Sequence, residues 1–229
     1  MTFFSGVVVY PLWLQTQMGY TATWAGLSAA PIGILSVIFS PIVGKNMHKI
    51  DLRILASFSF LVFAGITFWA SSFNTSATFM QLTLPRFFQG IGMACFFIPL
   101  MSILLSGLPQ NRVASASGLS NFLRVLGGSF GTSLSVALWD RRESLHHSQL
   151  TENISAGDTV TNHALSALHS IGLPHMPSLA FLERSVESQS YMLAVNDIFI
   201  ASTWIFLALT FFVWLARPPF AAGKSGGEH

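Results

Sequence analysis

Charged residues are scarce in this sequence, and long stretches contain none. Only 9% of its 229 residues are Asp, Glu, Lys or Arg, whereas soluble domains carry about a quarter. The stretches without a charged residue are 1–44, 54–85, 87–111, 125–139 and 198–216. A helix of a soluble protein presents a polar face to water, so charged residues would interrupt stretches as long as these. These segments therefore predict helices that are apolar all round and cross a lipid bilayer.

Other features are also missing, and each absence argues against a class of protein. A single cysteine, Cys95, is too few for a disulfide framework. The net charge is only +2, without a run of basic residues interleaved with aromatics, which argues against a nucleic-acid partner. No pair of catalytic side chains stands out within the apolar stretches. We therefore expect neither enzymatic activity nor a bound cofactor or metal.

The apolar stretches predict an all-α membrane protein built as a six-helix transmembrane bundle. Residues 1–139 contain five spans, and the sixth follows a long polar segment. The predicted spans are 3–17, 24–44, 54–71, 78–105, 113–139 and 193–215. The first is shorter than the roughly 20 residues that a bilayer requires, so we expect further residues upstream.

A polar segment, residues 140–192, separates the fifth and sixth spans. It is too highly charged to cross the bilayer, and its amphipathic stretch His163–Ile171 predicts a helix on the membrane surface. It also contains most of the histidines. The pair His146-His147 and the spacing of His163, His169 and His175 could suggest a metal site. Steps of six residues do not place side chains on one helix face, so we predict solvated loop histidines instead.

The distribution of Lys and Arg predicts the orientation of the chain. Lys45, Lys49 and Arg53 lie between spans two and three, whereas the segment 140–192 carries a net negative charge. Cytoplasmic loops of membrane proteins are enriched in Lys and Arg. We therefore predict that both termini are cytoplasmic, that 216–229 is a cytoplasmic tail and that 140–192 is extracytoplasmic.

Polar side chains within the spans are candidates for substrate binding or coupling. Arg124 lies near the middle of span five, where insertion costs about 2.5–3.5 kcal/mol, so it should face the bundle or an aqueous cavity. Arg124 could serve as a structural clamp or take part in substrate or conformational coupling, and the sequence leaves both roles open. Arg86 lies nearer the end of span four, from which its side chain can snorkel. The full set of candidates is Arg124, Arg86, Gln89, Asn121, Gln15 and Asp197.

Glycines at helix-packing spacing mark one face of span five. They are Gly127, Gly128 and Gly131. Small residues let two helix backbones approach closely within a membrane. Such faces are found both in transporters and in static bundles, with transporters favoured here.

Several motifs in the sequence resemble those of one membrane-protein family. They are found at residues 14–26, 31–33, 40–44, 88–100, 105–109, 114–124, 142–147 and 216–220. In these motifs the sequence is similar to the EmrB/QacA-type multidrug exporters of the major facilitator superfamily, which are drug:proton antiporters. The match is collinear over nearly the whole chain and is loose only at about 159–189.

One loop resembles the gating loop of the superfamily, whose pattern is Gly-(X)3-Asp-Arg. Its candidate gating residues are Gly44, Lys45, Lys49, Asp51 and Arg53. The sequence departs from the pattern because His48-Lys49 stands where Asp-Arg is typical. The ion pair of the family's loop therefore lacks its usual residues here.

The resemblance implies that the chain supplies the last six of about fourteen spans, the C-terminal half of a major facilitator fold. It implies export of hydrophobic drugs across the bacterial inner (cytoplasmic) membrane, driven by a proton gradient. The implied partners are membrane lipid, an N-terminal transporter half, a membrane fusion protein and an outer-membrane channel. The resemblance places the proton-binding acids in the other half. The alternative is a non-transporting six-helix membrane subunit or a truncated product.

Overall fold

The computed structural model of the protein describes residues 2–46, 49–105, 108–152, 154, 159–170, 172 and 174–215. Within these residues the chain forms eight α-helices and no β-strand. The helices are α1 (Thr2–Thr16), α2 (Ala22–Ala29), α3 (Ile32–Asn46), α4 (Leu52–Ala70), α5 (Phe79–Leu105), α6 (Gln110–Glu152), α7 (Thr159–Ser170) and α8 (His175–Val213). The predicted all-α architecture is confirmed.

Four helical segments among the described residues are long and apolar enough to cross a membrane. They are Ala22–Asn46, Leu52–Ala70, Phe79–Leu105 and His175–Val213, and they overlap predicted spans two, three, four and six. The first and fifth predicted spans are also helical, as α1 and α6. However, α1 has only 15 residues, and Ser, Thr, Asn and Gly dilute the apolar part of α6.

The second predicted span is interrupted at Pro31, between α2 and α3. Proline has no backbone N–H, so one helical hydrogen bond is lost at Pro31. The tighter bonds that bridge the break run from Gly33 N–H to the Ala30 carbonyl at 3.0 Å and from Ile34 N–H to the Pro31 carbonyl at 3.1 Å. Pro41, Pro85 and Pro99 lie inside continuous helices, so a proline favours such a break without fixing its position.

The segment 140–192, expected to be a loop with one amphipathic helix, is largely helical where the structure describes it. The helix α6 continues through the predicted boundary to Glu152, and α8 begins at His175. The expected boundaries differ because hydropathy marks where a helix can leave lipid, not where its hydrogen bonds end. The amphipathic stretch from His163 forms part of α7, while Ile171 lies outside the described residues.

The helix α4 lies between α5 and α8, and α3 packs on the other side of α5. The helix α6 packs on α8 and α1. An aromatic cluster joins α4 to α8, where the rings of Phe63 and Phe206 have centroids 5.2 Å apart. Two hydroxyl groups, those of Thr67 and Thr203, also share a hydrogen bond of 2.8 Å between these helices. The core thus combines ring packing with polar contacts across α4 and α8.

Several helices leave large apolar side chains exposed in the described part of the chain, and α3 and α6 are two of them. On α3, Val37 is 75% exposed, and Ile34 and Ile38 are more than half exposed. On α6, Phe122 and Phe130 are also largely exposed. In a membrane such faces contact lipid or another part of the same assembly.

Candidate functional site

Arg86 occupies a polar site in the interior of the bundle. Its guanidinium carbon lies 3.9 Å from the centre of the Tyr10 ring, a cation–π contact between α5 and α1. Its Nη1 donates a hydrogen bond of 2.8 Å to Oε1 of the buried Gln89. The Tyr10 hydroxyl donates to the Leu82 carbonyl at 3.1 Å. The side chain that was expected to snorkel therefore turns inward and connects two helices.

The cavity beside Arg86 is small. Its volume is about 20 Å³, and residues of α1, α4, α5 and α8 line it, among them Gly6, Thr67 and Ser202. That volume suits one water molecule, whereas drug-sized ligands occupy cavities of about 300–1,000 Å³. In this conformation the Arg86 site therefore acts as a link between helices and has no room for a drug.

Arg124 and Asn121 form a second pair of predicted candidates. Arg124 Nη2 donates a hydrogen bond of 2.6 Å to Asn121 Oδ1, one helical turn away on α6. The guanidinium carbon lies 5.8 Å from the centre of the Phe97 ring on α5. Arg124 is exposed, so the structure places it on an outer face of this part of the protein and not in the bundle interior.

Asp197 is the centre of the two salt bridges found among the described residues. Its Oδ2 lies 2.9 Å from His146 Nε2 and 3.6 Å from Arg142 Nη1. Both partners belong to the extended part of α6. The expectation that the loop histidines are solvated is therefore wrong for His146, whose side chain is only 17% exposed. The spacing of Arg142 and His146 on one helix face could have revealed this site, given the true length of α6.

The remaining candidates do not join these clusters. Gln15 Nε2 donates to the Pro11 carbonyl of its own helix at 3.0 Å. In the predicted gating loop, Asp51 caps α4 by accepting a bond of 3.0 Å from Arg53 N–H. Lys49 N–H bonds to the Asn46 carbonyl at 2.9 Å. His48 lies outside the described residues. Of the other loop candidates, Lys45 is in the last turn of α3 and Gly44 has no atom within 4 Å of an added Cβ.

The glycine face of α6, at residues 127–131, also contains a pattern known from hydrolases. Gly128 and Gly131 are buried and Gly127 is half-buried. Residues 127–131 also match the Gly-x-Ser-x-Gly pattern of hydrolases, in which the serine lies on a turn between strand and helix. Here Ser129 lies within a continuous helix, and its hydroxyl donates to the Val125 carbonyl at 3.1 Å. The match therefore carries no catalytic site.

Tyr10, Arg142 and His146 are site residues that were not among the predicted candidates. Tyr10 is the only tyrosine in the first predicted span, 3–17. A phenol hydroxyl in a membrane segment needs a polar partner, and this need was the available signal. The signal for His146 depended on the extent of α6, as described above.

Comparison with known proteins supports the resemblance found in the motifs. A family model described as Major Facilitator Superfamily matches residues 1–132. The chain is 44% identical over 228 residues to the multidrug export protein EmrB of Escherichia coli (strain K12), which covers 99% of this chain and 44% of that protein. It is 46% identical over 226 residues to the probable multidrug resistance protein EmrY of the same strain, covering 98% of this chain and 44% of that protein.

A third relative carries a different description. The chain is 40% identical over 229 residues to the fatty acid resistance protein FarB of Neisseria gonorrhoeae, covering 100% of this chain and 45% of that protein. The chain thus spans less than half the length of each of these three relatives.

Proposed function

This chain belongs to the major facilitator superfamily of transporters, and we propose that it forms the C-terminal half of a proton-driven exporter of hydrophobic toxic compounds. The observation that carries the proposal is the identity of 40–46% over nearly the whole chain to proteins named for drug export and for drug or fatty acid resistance. The uncovered apolar faces of α3 and α6 support it, because a second half would pack against such faces.

Transport by the full-length exporter tests this proposal. The protein is reconstituted in proteoliposomes, and movement of a fluorescent lipophilic dye is followed under an imposed pH gradient. We expect dye transport that stops when a potassium–proton exchanger collapses the gradient. Transport that is indifferent to the gradient would refute proton coupling, and a complete lack of transport would favour the non-transporting alternative.

The two membrane arginines should respond differently to substitution in the full-length protein. Arg124→Ala should lower dye efflux on the order of tenfold with little loss of thermal stability, since its described contacts are one hydrogen bond and one distant ring. Arg86→Ala should instead lower stability by about 1–3 kcal/mol, because Tyr10 and Gln89 lose their charged partner.

Efflux and detergent melting temperature are measured for both alanine variants and for Arg124→Lys. Lysine lacks the planar donor fork of arginine, so it should restore efflux only in part. Wild-type efflux by Arg124→Ala would remove the coupling role and leave Arg124 as a structural residue.

The proposed orientation places both termini in the cytoplasm of a bacterium, with the protein in the inner membrane. Single cysteines at the exposed positions Lys49 and Ser148, in a Cys95→Ser background, report this through an impermeant maleimide. We expect intact cells to be labelled at position 148 and not at position 49. The reverse pattern would invert the proposed topology.

A membrane fusion protein and an outer-membrane channel complete the proposal as partners, on the strength of the family resemblance. Each partner is tested by crosslinking in cells that produce the full-length exporter. We expect both proteins to be recovered with the exporter, and recovery of the exporter without either would contradict the proposed partners.

A further inference from the structure

The cluster of His146, Asp197 and Arg142 joins α6 to α8 by ionisable groups. His146 and Asp197 are 51 residues apart in the chain and meet through a single contact of 2.9 Å between Nε2 and Oδ2. Arg142 approaches the same oxygen at 3.6 Å. Arg142 and His146 thus share one carboxylate oxygen, and the balance between them changes when the imidazole gains or loses a proton.

The cluster lies at the end of the apolar segments on both helices. The charge-free stretch of α6 ends at Trp139, two turns before His146, and the charge-free stretch of α8 begins directly after Asp197. Beside the cluster, Trp139 Nε1 donates to the Tyr191 carbonyl at 3.2 Å, and the two rings have centroids 5.2 Å apart. Tryptophan and tyrosine are enriched where helices leave the hydrocarbon. The exposed fractions of the His146 and Asp197 side chains, 17% and 35%, give water limited access.

Other ionisable residues lie on the helices that pack around the cluster. The helix α1 and the segment 71–78 contain no charged residue, and α4 and α5 contain only Arg53 and Arg86. The ionisable residues on the packed parts of α6, α7 and α8 are Asp140, Arg141, Arg142, Glu143, His147, Glu152, His163, His169, His175, Glu183, Arg184 and Glu187. Among the described residues, only Arg142 and His146 contact Asp197 through charged groups.

We propose that His146 and Asp197 form a proton-binding site of the exporter, with Arg142 as the competing cation. In the proposed site the imidazole takes a proton from water at this end of the bundle. The protonated ring then holds the Asp197 carboxylate as a full ion pair and weakens the hold of Arg142. Release of the proton returns the carboxylate to Arg142, one helical turn earlier on α6, and so shifts the contact between α6 and α8. This inference rests on the proposed proton-driven transport.

The physical basis is the behaviour of histidine near neutral pH. It is the side chain whose charge changes between about pH 5 and 8 in water. Protonation gives the imidazole a positive charge, so its contact with the Asp197 carboxylate becomes an ion pair. Proton binding at this contact therefore changes which side chain of α6 holds Asp197 of α8.

The test uses the full-length exporter in proteoliposomes over a range of external pH. His146→Gln retains a hydrogen-bond donor but takes no proton, and His147→Gln is the matched control one residue away. We expect His146→Gln to lose most of the pH dependence and about tenfold in proton-driven efflux. His147→Gln should match the wild-type profile.

A second variant, His146→Arg, guards against a failure to fold. Its fixed positive charge preserves the ion pair with Asp197, so insertion and melting temperature should be close to wild type, while efflux should be low at every pH. A wild-type pH profile in either His146 variant would overturn the proton-binding site. Wild-type protein that transports without any proton gradient would instead overturn the proposed function, so the two failures are distinct.

Discussion

Cells that produce only these 229 residues will show no dye efflux above background. Alternating access in this superfamily requires two halves that rock about a site near the membrane midplane, and the chain spans 44% of the length of Escherichia coli EmrB. One half supplies a single wall of that site. It also leaves the apolar faces of α3 and α6, together with Arg124, exposed to hydrocarbon.

The control is co-expression with the remaining part of the full-length gene. Efflux should return when both parts are present in one membrane, because the exposed faces then gain their partner. Efflux from the 229 residues alone that a pH gradient drives and its collapse abolishes would contradict this expectation. It would show that six helices suffice, as a single half or as a self-paired dimer.

Gly90→Ala will strongly destabilise the full-length protein, because the backbone of α3 packs directly against this glycine of α5. A Cβ at position 90 would overlap the carbonyl oxygen of Ile32 and lie 3.0 Å from the Cβ of Leu35. The obstructing oxygen belongs to the backbone, so the helix itself must move. Overpacking of this kind costs about 1–3 kcal/mol, and we expect the upper end of that range.

Gly65→Ala is the matched control on the neighbouring helix α4. No atom lies within 4 Å of the Cβ that it would add, and alanine is the better helix former by about 0.5–1 kcal/mol. The control should therefore be as stable as wild type or slightly more so. Melting temperature in detergent and the fraction resisting denaturation by dodecyl sulfate measure both variants. Equal stability of Gly90→Ala and Gly65→Ala would show that α3 does not approach α5 at Gly90 as closely as described.

Two polar pairs within single helices show what could be predicted from the sequence. Arg86 and Gln89 were both candidates, and their spacing of three residues on one helix predicts contact. Arg124 and Asn121 are related in the same way. Pairs within one helix are thus accessible from the sequence, because the helical repeat alone brings them together.

Contacts between helices were not accessible in this way. Tyr10 meets Arg86, and His146 meets Asp197, only because α1 packs against α5 and α6 against α8 in a particular rotation. The inward turn of Arg86 depends on the Tyr10 ring, whose position is set by the packing of α1. Hydropathy also misjudged the segment 140–192, because charge ends a membrane span without ending a helix.

The sequence by itself determined that the chain is helical, that it belongs in a membrane and which family it joins. These properties follow from local composition, backbone chemistry and motif spacing. Only the tertiary structure decided which polar groups meet across helices, how close α5 and α3 lie at Gly90, and which faces stay uncovered. Those outcomes depend on the relative rotation and depth of whole helices, which no short stretch of residues specifies.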